Sequence, residues 1–408
     1  MTEHSLEREV GGITTFVRLY SRWMKEQCIS YLLVYRSFIN AKVKLDFPTS
    51  MQISSTQKIL KKMRRFGLLL NVFYIIILFC YCLVTLLKLL YLYKKFKFEI
   101  IHSQDVTFGG LVSAVSSKIL KSVFILHAHG VHQWTIAQLF PKKGFFYHFW
   151  LLIEKIVAKK ADLIICVTPA AIPFYLNYGI NSNKIRVIPT GVDTRYFKLP
   201  SNVRKETRDE IGVSDDEIIM LYLGRISPEK NVNSLVKAFG ELVNERKIPK
   251  VKLLIVGPKA PESPILAELI RTYNICEKVT ILDARYDVNR LYAASDIFIL
   301  PSFSEGSPMV LLEAMASGKA IIASNISSIK EIIKNGEEAI LVNPYDLNQL
   351  KEAILELCYN SNLRKKLGEN AKKKAKQYDV NVVFPQIVEV YQEVLRNKVL
   401  NKNIVHAA

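Results

Sequence analysis

Short apolar runs alternate with helical stretches along nearly the whole chain, and this alternation is the strongest constraint on the fold. A strand, a helix and a further strand in succession form a parallel strand pair covered by the helix. The predicted strands are 29–36, 98–103, 123–129, 163–167 and 186–189, and then 218–223, 252–256, 279–282, 297–300, 320–323 and 339–342. The sequence therefore predicts an α/β protein with two doubly wound, Rossmann-like parallel sheets.

The predicted helices fill the intervals between these strands. They include 12–25, 144–160, 232–244, 265–273, 308–316 and 347–357, with two more at 363–377 and 382–398. A polar stretch from Asp193 to Asp216 is interpreted as an irregular linker. We therefore expect three parts: an N-terminal domain at 1–195, a C-terminal domain at 196–380, and a helix in 381–408 that returns toward the N-terminal domain.

Positive charge is concentrated in the first half of the chain. The net charge is +19, but residues 1–200 carry 27 basic and 10 acidic groups whereas residues 201–408 carry 29 and 27. An anionic partner should therefore bind the first half. No nucleic-acid recognition motif accompanies this charge, so nucleic acid is not the expected partner. Half of the residues are apolar, which excludes a disordered chain.

The segment 67–87 has 21 residues and no charge, which suits the length of a membrane span. Basic residues flank it on both sides: Lys58, Lys61, Lys62, Arg64 and Arg65 before it, and Lys88, Lys94, Lys95 and Lys97 after it. A weak polar stripe favours a helix lying in the interface of an anionic membrane, with a buried core helix and a single span as alternatives. The first twenty residues contain no apolar signal region, so we expect a cytoplasmic protein at the inner face of the membrane.

The six cysteines and four clustered histidines show no pattern of a disulfide framework or a metal site. No cysteine forms a CxxC pair, and buried thiols in a reducing compartment are the expected state. His102, His127, His129 and His132 do not share the spacing of one helix face, and no cysteine or carboxylate cluster joins them. His127 and His129 alternate on a strand, so both side chains should face the same side. No metal or other cofactor is expected.

Two carboxylates follow the predicted strand 297–300. Glu305 and Glu313 are separated by seven residues, and Pro308 between them is suited to open a helix. Glu305 should lie at the carboxyl edge of the sheet, where open α/β sheets bind ligands. Glu313 lies two turns into the helix, where it can accept hydrogen bonds from a diol such as ribose. A solvated acidic pair on a surface helix is the alternative.

Two cations and a glycine leave neighbouring predicted strands in the same half. Arg225 and Lys230 follow the strand 218–223, and Gly257 follows the strand 252–256. A guanidinium and an ammonium at a strand exit suit a diphosphate. Exposed N–H groups at the helix start near Pro308 would also favour a phosphate.

These motifs resemble those of the GT-B retaining glycosyltransferases of family 4. The resemblance rests on Gly224-Arg225 with Lys230, Val256-Gly257-Pro258, the segment 291–296, the Glu305 and Glu313 pair, and the segment 312–318. Gly11-Gly12, His129-Gly130 and the segment 187–193 add to it in the first half. It implies two Rossmann-like domains facing each other across a cleft, with a nucleotide-sugar donor on the C-terminal domain and the acceptor on the N-terminal domain.

The resemblance also implies roles for single residues. Arg225 and Lys230 match the diphosphate-binding pair, and Glu313 matches the ribose-binding carboxylate. Glu305 matches the residue that contacts the transferred sugar, and His129 the histidine beside it. The donor-binding set is completed by Gly12, whose lack of a side chain lets the backbone approach the diphosphate, and by Gly257, Gly306, Ser307, Met309 and Val310.

The sequence departs from the family pattern at its start. The family has an apolar strand before the glycine loop, and residues 1–10 contain no such run, so we expect one to precede Gly11 in the functional protein. The function that we expect is transfer of a sugar from a nucleoside diphosphate sugar to a lipid-linked or glycan acceptor, with retention of configuration. A non-catalytic membrane-associated partner of the same fold and a nucleotide-sugar epimerase are the alternatives.

Overall fold

The computed structural model describes residues 12–29, 68–130, 144–258 and 263–407. The described residues separate into two units. The first contains the described residues within 21–189 and 385–407, and the second contains those within 12–20 and 190–384. Each unit is built around its own parallel sheet, as the strand–helix alternation predicts.

Within the described residues, the first unit has a four-stranded sheet in the order β1-β2-β3-β4. It begins with the end of α1 (Gly12–Glu26) and with α2 (Leu68–Phe96), followed by β1 (Ile100–Ser103), α3 (Phe108–Leu120), β2 (Val123–Ala128), α4 (Phe145–Lys160), β3 (Leu163–Cys166), α5 (Ile172–Asn177) and β4 (Ile185–Val187). All neighbouring strands are parallel. The two central strands are fully buried because helices and loops cover the sheet.

The second unit has a six-stranded parallel sheet in the order β10-β9-β8-β5-β6-β7. Its elements are α6 (Asn202–Glu210), β5 (Ile218–Leu223), α7 (Val232–Asn244), β6 (Val251–Val256), α8 (Pro264–Thr272), β7 (Val279–Leu282), α9 (Val288–Ala294), β8 (Ile297–Leu300), α10 (Met309–Ala316), β9 (Ala320–Ser324), α11 (Ser327–Lys330), β10 (Ile340–Val342), α12 (Leu347–Tyr359), α13 (Ser361–Ala375) and the start of α14 (Val380–Ala407). Two buried apolar clusters pack on opposite faces of this sheet, as a doubly wound fold requires.

The C-terminal helix α14 contributes residues to both units. Phe384 packs edge-on against Phe16 and Tyr20 of α1, with ring centroids 5.6 and 5.0 Å apart, inside the second unit. From residue 385 onward the helix belongs to the first unit, where Glu393 forms a 2.5 Å ion pair with Arg186 of β4. The return of this helix to the N-terminal unit is therefore confirmed.

The polar stretch 193–216 is not the irregular linker that the sequence predicts. It contains α6, which carries Arg208, whose side chain is wholly buried. The Arg208 guanidinium donates to the carbonyl oxygens of Ala294 and Ser214 and pairs with Asp296. A buried arginine thus holds this polar helix in place, and the helix has no apolar stripe. The pattern of apolar residues in the sequence therefore does not predict the helix.

Several sequence predictions fall on the undescribed segments. The strand predicted at 29–36 and the basic residues 58–65 lie outside the described residues, apart from Ile29, as does the segment before Gly12. Most of the apolar segment 67–87 lies in α2. Among the described residues, none of the helices combines the length and the apolar character needed to cross a membrane. Cys28, Cys82, Cys166, Cys276 and Cys358 are free thiols. Cys166 and Cys358 are buried as predicted, but Cys28 and Cys276 are exposed, so the prediction of buried thiols is wrong for those two.

Candidate active site

The strand order of the second sheet creates a switch point. β5 lies between β6 and β8, so the chain leaves β5 toward one side and later returns on the other. Ligands of open α/β sheets bind at the carboxyl ends of the strands at such a point. The loop after β5 carries Arg225 and Lys230, and the loop after β8 carries Glu305. The topology therefore brings these sequence-predicted residues to one edge of the sheet.

Lys230 and Glu305 form an ion pair across this switch point. The Lys230 ammonium donates to both carboxylate oxygens of Glu305 at 2.8 Å. The Ser302 hydroxyl donates to Glu305 Oε1 at 2.7 Å, and the Glu305 side chain is only 6% exposed. A buried ion pair is retained only with good geometry and additional hydrogen bonds, which Ser302 supplies here. The pair fixes a cation and a carboxylate side by side at the ligand-binding edge.

Arg225 is held at the same edge but remains more accessible. Its guanidinium lies 3.2 Å from Glu229 Oε1, and its side chain is 38% exposed. The Tyr222 hydroxyl donates a 2.8 Å hydrogen bond to the Arg225 carbonyl oxygen, which fixes the backbone at Arg225. The Phe303 N–H donates to the Glu229 carbonyl and so joins the two loops directly. The two cations therefore stand on loops that are tied to each other.

Two hydroxyls on these loops lack a partner within the described part of the chain. The Oγ atoms of Ser227 and Ser307 are buried and make no hydrogen bond there. A buried hydroxyl without a partner is costly. Ser307 also lies just before α10, which begins at Met309 and has no side-chain cap. The first N–H groups of a helix are donors without intrahelical partners, so this edge offers several donors to an anion.

Gly257 lies where two strand exits approach each other. A Cβ atom built on it would be 1.9 Å from the carbonyl oxygen of Gly224. No side chain fits at that distance. Glycine at this position therefore lets the exits of β5 and β6 lie in direct contact, which keeps Arg225 in place.

Glu313 lies on α10 and is nearly fully buried. The Tyr292 hydroxyl lies 3.2 Å from Glu313 Oε2 and 2.8 Å from the Val310 carbonyl oxygen, so its single proton is shared between these two acceptors. Burial raises the pKa of Glu313 to about 7, and the Tyr292 hydrogen bond opposes that rise. This carboxyl group is therefore poised to change its charge near neutral pH. Perturbed carboxylates of this kind are frequent at functional sites.

His129 lies in the first unit, at the end of a column of stacked imidazoles. Its ring stacks on His127 at 4.4 Å, and His127 stacks on His102 at 5.2 Å, which confirms that the two strand histidines face the same side. His129 Nε2 donates to Gln104 Oε1 at 2.6 Å, and a 2.6 Å hydrogen bond joins His102 Nδ1 to the Tyr391 hydroxyl. Burial lowers the pKa of His129 to about 3, so the ring is neutral at physiological pH.

Among the described residues, no three His, Cys, Asp or Glu side chains lie close enough together to bind a metal ion. The expectation of a metal-free reaction stays a prediction. Gly12 is the first residue of α1 and groups with the second unit, which also holds Arg225, Lys230 and Glu305. His129 belongs to the first unit, where its described neighbours are His127 and Gln104.

Two family models match consecutive parts of the chain. The model described as Glycosyltransferase Family 4 matches residues 10–196, and the model described as Glycosyl transferases group 1 matches residues 203–374. The chain belongs to glycosyltransferase family 4. The predicted GT-B fold class is confirmed with it, since both halves are Rossmann-like and the similar structures are GT-B glycosyltransferases.

The relatives of this family 4 chain include enzymes that act on lipid-linked sugars. One is a UDP-Gal:alpha-D-GlcNAc-diphosphoundecaprenol alpha-1,3-galactosyltransferase from Escherichia coli, 26% identical over 67% of this chain and 69% of its own. Another is an N,N'-diacetylbacillosaminyl-diphospho-undecaprenol alpha-1,3-N-acetylgalactosaminyltransferase from Campylobacter jejuni, 32% identical over 60% of this chain and 64% of its own. In the second case the match spans less than two thirds of the relative.

A solved structure supports the fold over nearly the full length. The sucrose-phosphate synthase from Thermosynechococcus elongatus superposes with a TM-score of 0.74 over 97% of this chain and 98% of its own. The two sequences are 18% identical, so this similarity speaks for the fold alone.

Several residues of the site were not singled out from the sequence. Tyr292 lies inside a family motif, but its contact with Glu313 depends on how α9 and α10 pack. Ser302 is three residues before Glu305, and Gln104 directly follows β1. The position of Gln104 at a strand end was the signal that could have revealed it, because β1 and β2 are neighbours and His129 follows β2 in the same way.

Proposed function

We propose that this chain transfers a sugar from a nucleoside diphosphate sugar to a lipid-linked or glycan acceptor, with retention of anomeric configuration. The observation that carries the proposal is the Lys230–Glu305 pair at the switch point of the second sheet. The loops that carry this pair also carry Arg225 and two hydroxyls that lack partners among the described residues. A diphosphate needs cations and hydrogen-bond donors, and both are assembled here.

The roles that we propose for the site residues are supported by these positions. Arg225 and Lys230 would bind the diphosphate, whose negative charge increases as the sugar–phosphate bond breaks. The donors of Ser227, Ser307 and the first turn of α10 would share that charge, together with the backbone of Gly306 and Val310. Glu305 would then accept hydroxyl groups of the transferred sugar. Because cations on the chain neutralise the leaving group, we expect the reaction to need no metal.

Glu313 would bind the ribose, and Gly12 and Gly257 would let the backbone lie close to the donor. A carboxylate can accept two hydrogen bonds from a vicinal diol. His129 would contact the reacting sugar as a neutral ring, since burial keeps its pKa low. A neutral imidazole can donate from one nitrogen and accept at the other, whereas the cation can only donate.

The acceptor class is supported by the relatives and by the charge of the chain. Two similar enzymes carry diphosphoundecaprenol acceptors in their names, and the first half of this chain is strongly basic. A basic surface suits a phosphorylated acceptor in a bilayer. We therefore propose a lipid-linked acceptor and a peripheral location on the inner face of the cell membrane.

The test is a donor screen on the full chain. Calorimetry with UDP-, GDP- and ADP-sugars should give one clear binder, and product analysis by nuclear magnetic resonance should show the donor's anomeric configuration retained. Lys230→Ala removes a charge-assisted contact of about 1.5–3 kcal/mol, so the dissociation constant should rise roughly 10- to 150-fold. The matched control is Lys237→Ala, an exposed lysine on α7 of the same unit.

Equal donor affinity in the Lys230 and Lys237 variants would remove the site assignment. Donor binding without any transfer to lipid-linked or glycan acceptors would favour the non-catalytic alternative. Conversion of the donor sugar into its epimer, without transfer, would favour the epimerase.

A further inference from the structure

An exposed pair of aromatic rings stands at the carboxyl edge of the second sheet. Tyr345, in the loop after β10, is 80% exposed, the highest value among the large apolar and aromatic side chains that the structure describes. Its ring stacks on that of Phe303, which follows β8, with centroids 4.8 Å apart and an angle of 25° between the planes. An aromatic ring in water lacks the favourable free energy that burial would give it. This pair therefore offers a contact surface to a ligand.

The loop that carries Tyr345 is held by hydrogen bonds. The Tyr345 N–H donates to the side-chain oxygen of Asn343 at 3.1 Å, and the Asn343 N–H donates to Gln349 Oε1 at 2.9 Å. The Pro344 carbonyl accepts a 3.0 Å hydrogen bond from the side-chain amide of Asn231. A ligand that contacts the ring would therefore have little backbone to order, which is the advantage of a preorganised site.

A cavity of about 180 Å³ lies beside the two rings. Sites that enclose a drug-sized ligand have roughly 300–1,000 Å³, so this cavity suits a single ring, and the rest of a larger ligand would lie outside it. Its walls combine aliphatic side chains with amide and hydroxyl groups, among them Pro301, Val342, Leu347, Leu350, Asn231 and Ser234. We call this cavity, together with the rings of Phe303 and Tyr345, the aromatic pocket.

The charge of the aromatic pocket argues against an anionic ligand. Among the described residues that line it, none is a Lys, Arg or His. Asp346 is the charged residue of this lining, and its carboxylate accepts hydrogen bonds from the N–H groups of Asn348 and Gln349 at the start of α12. A phosphate or a nucleotide would need a cation at this place. The ligand should therefore be uncharged.

The aromatic pocket lies on the opposite face of the sheet from Glu313. Val342 and Leu350, which line the pocket, belong to the apolar cluster on the face that α7 and α12 cover. Tyr292, which contacts Glu313, belongs to the cluster on the other face. A donor whose ribose binds Glu313 would therefore carry its base on the side of the sheet away from the pocket. This placement argues against a nucleobase as the ligand.

We propose that the aromatic pocket binds one sugar ring of a glycan chain, separately from the donor. A pyranose ring has a face of C–H groups, which are attracted to the negative face of an aromatic ring, and a rim of hydroxyl groups. The rim can bond to the side-chain amide of Asn343 and to the hydroxyl of Ser234. The combination of an exposed ring with neutral polar groups carries the choice of ligand. The proposal goes beyond the function proposed above, which needs no such site.

The proposal is tested by saturation-transfer nuclear magnetic resonance on the full chain. The probes are the methyl glycosides of glucose, galactose, mannose, N-acetylglucosamine and N-acetylgalactosamine. We expect at least one of them to bind, with the strongest saturation on the ring protons of a single face, because that face would lie on the aromatic ring. If none of the five binds, the proposal is wrong.

Three variants assign the binding to the aromatic pocket. Tyr345→Ala should lower the glycoside affinity roughly 2- to 13-fold, as expected for the loss of one aromatic contact. Tyr345→Phe keeps the ring and should bind like the wild type. The matched control is Tyr359→Ala, an exposed tyrosine on α12 of the same unit, which should also bind like the wild type. Circular dichroism checks that the variants fold.

Weaker glycoside binding in Tyr345→Ala, with wild-type binding in Tyr359→Ala, supports the proposal. Equal binding in Tyr345→Ala and the wild type overturns it, because the glycosides then bind elsewhere. Competition by uridine, guanosine or adenosine would identify a nucleobase site and would also overturn it.

Calorimetry with the donor on the same variants identifies the source of the sugar ring. We expect Tyr345→Ala to bind the donor like the wild type. Reduced donor affinity in this variant would show that the pocket holds the donor's own sugar, and the proposal would be wrong. A wild type that binds no donor contradicts the proposed function, whereas the glycoside result then still decides the aromatic pocket.

Discussion

The buried carboxyl group of Glu313 should make this protein less stable as the pH rises through neutrality. Burial raises the pKa of Glu313 from 4.5 to about 7. Between these values the folded state binds more protons than the unfolded state, so stability falls with rising pH and levels off above pH 7. A rise of this size corresponds to about 3 kcal/mol at pH 8. Glu313→Gln removes the titrating group and should abolish this part of the pH dependence.

The assay is urea unfolding of the wild type and of Glu313→Gln between pH 4.5 and pH 8.5. The free energy of unfolding of Glu313→Gln, minus that of the wild type, should increase by about 3 kcal/mol between pH 4.5 and pH 8. Glu352→Gln, on the exposed side of α12, is the matched control and should follow the wild type at every pH. A stability difference between Glu313→Gln and the wild type that does not change with pH would refute the reasoning.

Donor binding should show the opposite dependence. The ionised carboxylate is the better acceptor for ribose hydroxyls, so donor affinity should rise through pH 7 in the wild type. Glu313→Gln should bind the donor more weakly, by about 1.5–3 kcal/mol at pH 8, and lose this rise. Calorimetry across the same pH range measures both. A more stable variant that binds the donor less well would show that the site is maintained at a cost in stability.

Three further predictions concern other residues and conditions. Gln104→Leu removes the acceptor of the His129 Nε2–H group, so turnover should fall about tenfold with little change in donor affinity. Gln104→Glu should restore part of the turnover. Equal turnover in Gln104→Leu and the wild type would exclude a positioning role for Gln104. Gly257→Ala forces the exits of β5 and β6 apart, and should lower the free energy of unfolding by more than about 2 kcal/mol in a urea titration, together with the donor affinity. Activity should be unchanged after treatment with a chelator, as measured by sugar transfer, and activity restored only by added Mg²⁺ or Mn²⁺ would contradict the metal-free prediction.

Strand positions were predictable from the sequence because buried parallel strands are nearly continuous apolar runs. β5, β7 and β8 have the predicted bounds, and α10 begins one residue after the predicted start at Pro308. The edge location of Arg225, Lys230 and Glu305 followed from the rule that loops after parallel strands share one edge. These features depend on local pattern and on general topology alone.

Other features depend on which helices and strands become neighbours in the fold. Short stretches of sequence do not predict which elements will be neighbours. Helix α6 is held by Arg208, whose guanidinium donates to the carbonyl oxygen of Ala294, 86 residues away in the sequence. The histidine column requires the register in which His102 of β1 pairs with Ile125 of β2. The direct pairing of Lys230 with Glu305 requires β5 and β8 to be adjacent. Long-range contacts of this kind, rather than secondary structure, were the unpredictable part of the site.

The division of α14 between the two units has a consequence for synthesis on the ribosome. The four described strands of the first unit have all been made once β4 is synthesised, but Tyr391 and Glu393, which bond to His102 and Arg186, are made some two hundred residues later. The nascent first unit must therefore remain without these contacts while the whole of 190–384 emerges. Domains generally fold in the order of their synthesis. In this chain the unit that is synthesised first completes its contacts last. An arrest of translation before residue 391 should therefore leave the first unit sensitive to protease and the second unit resistant.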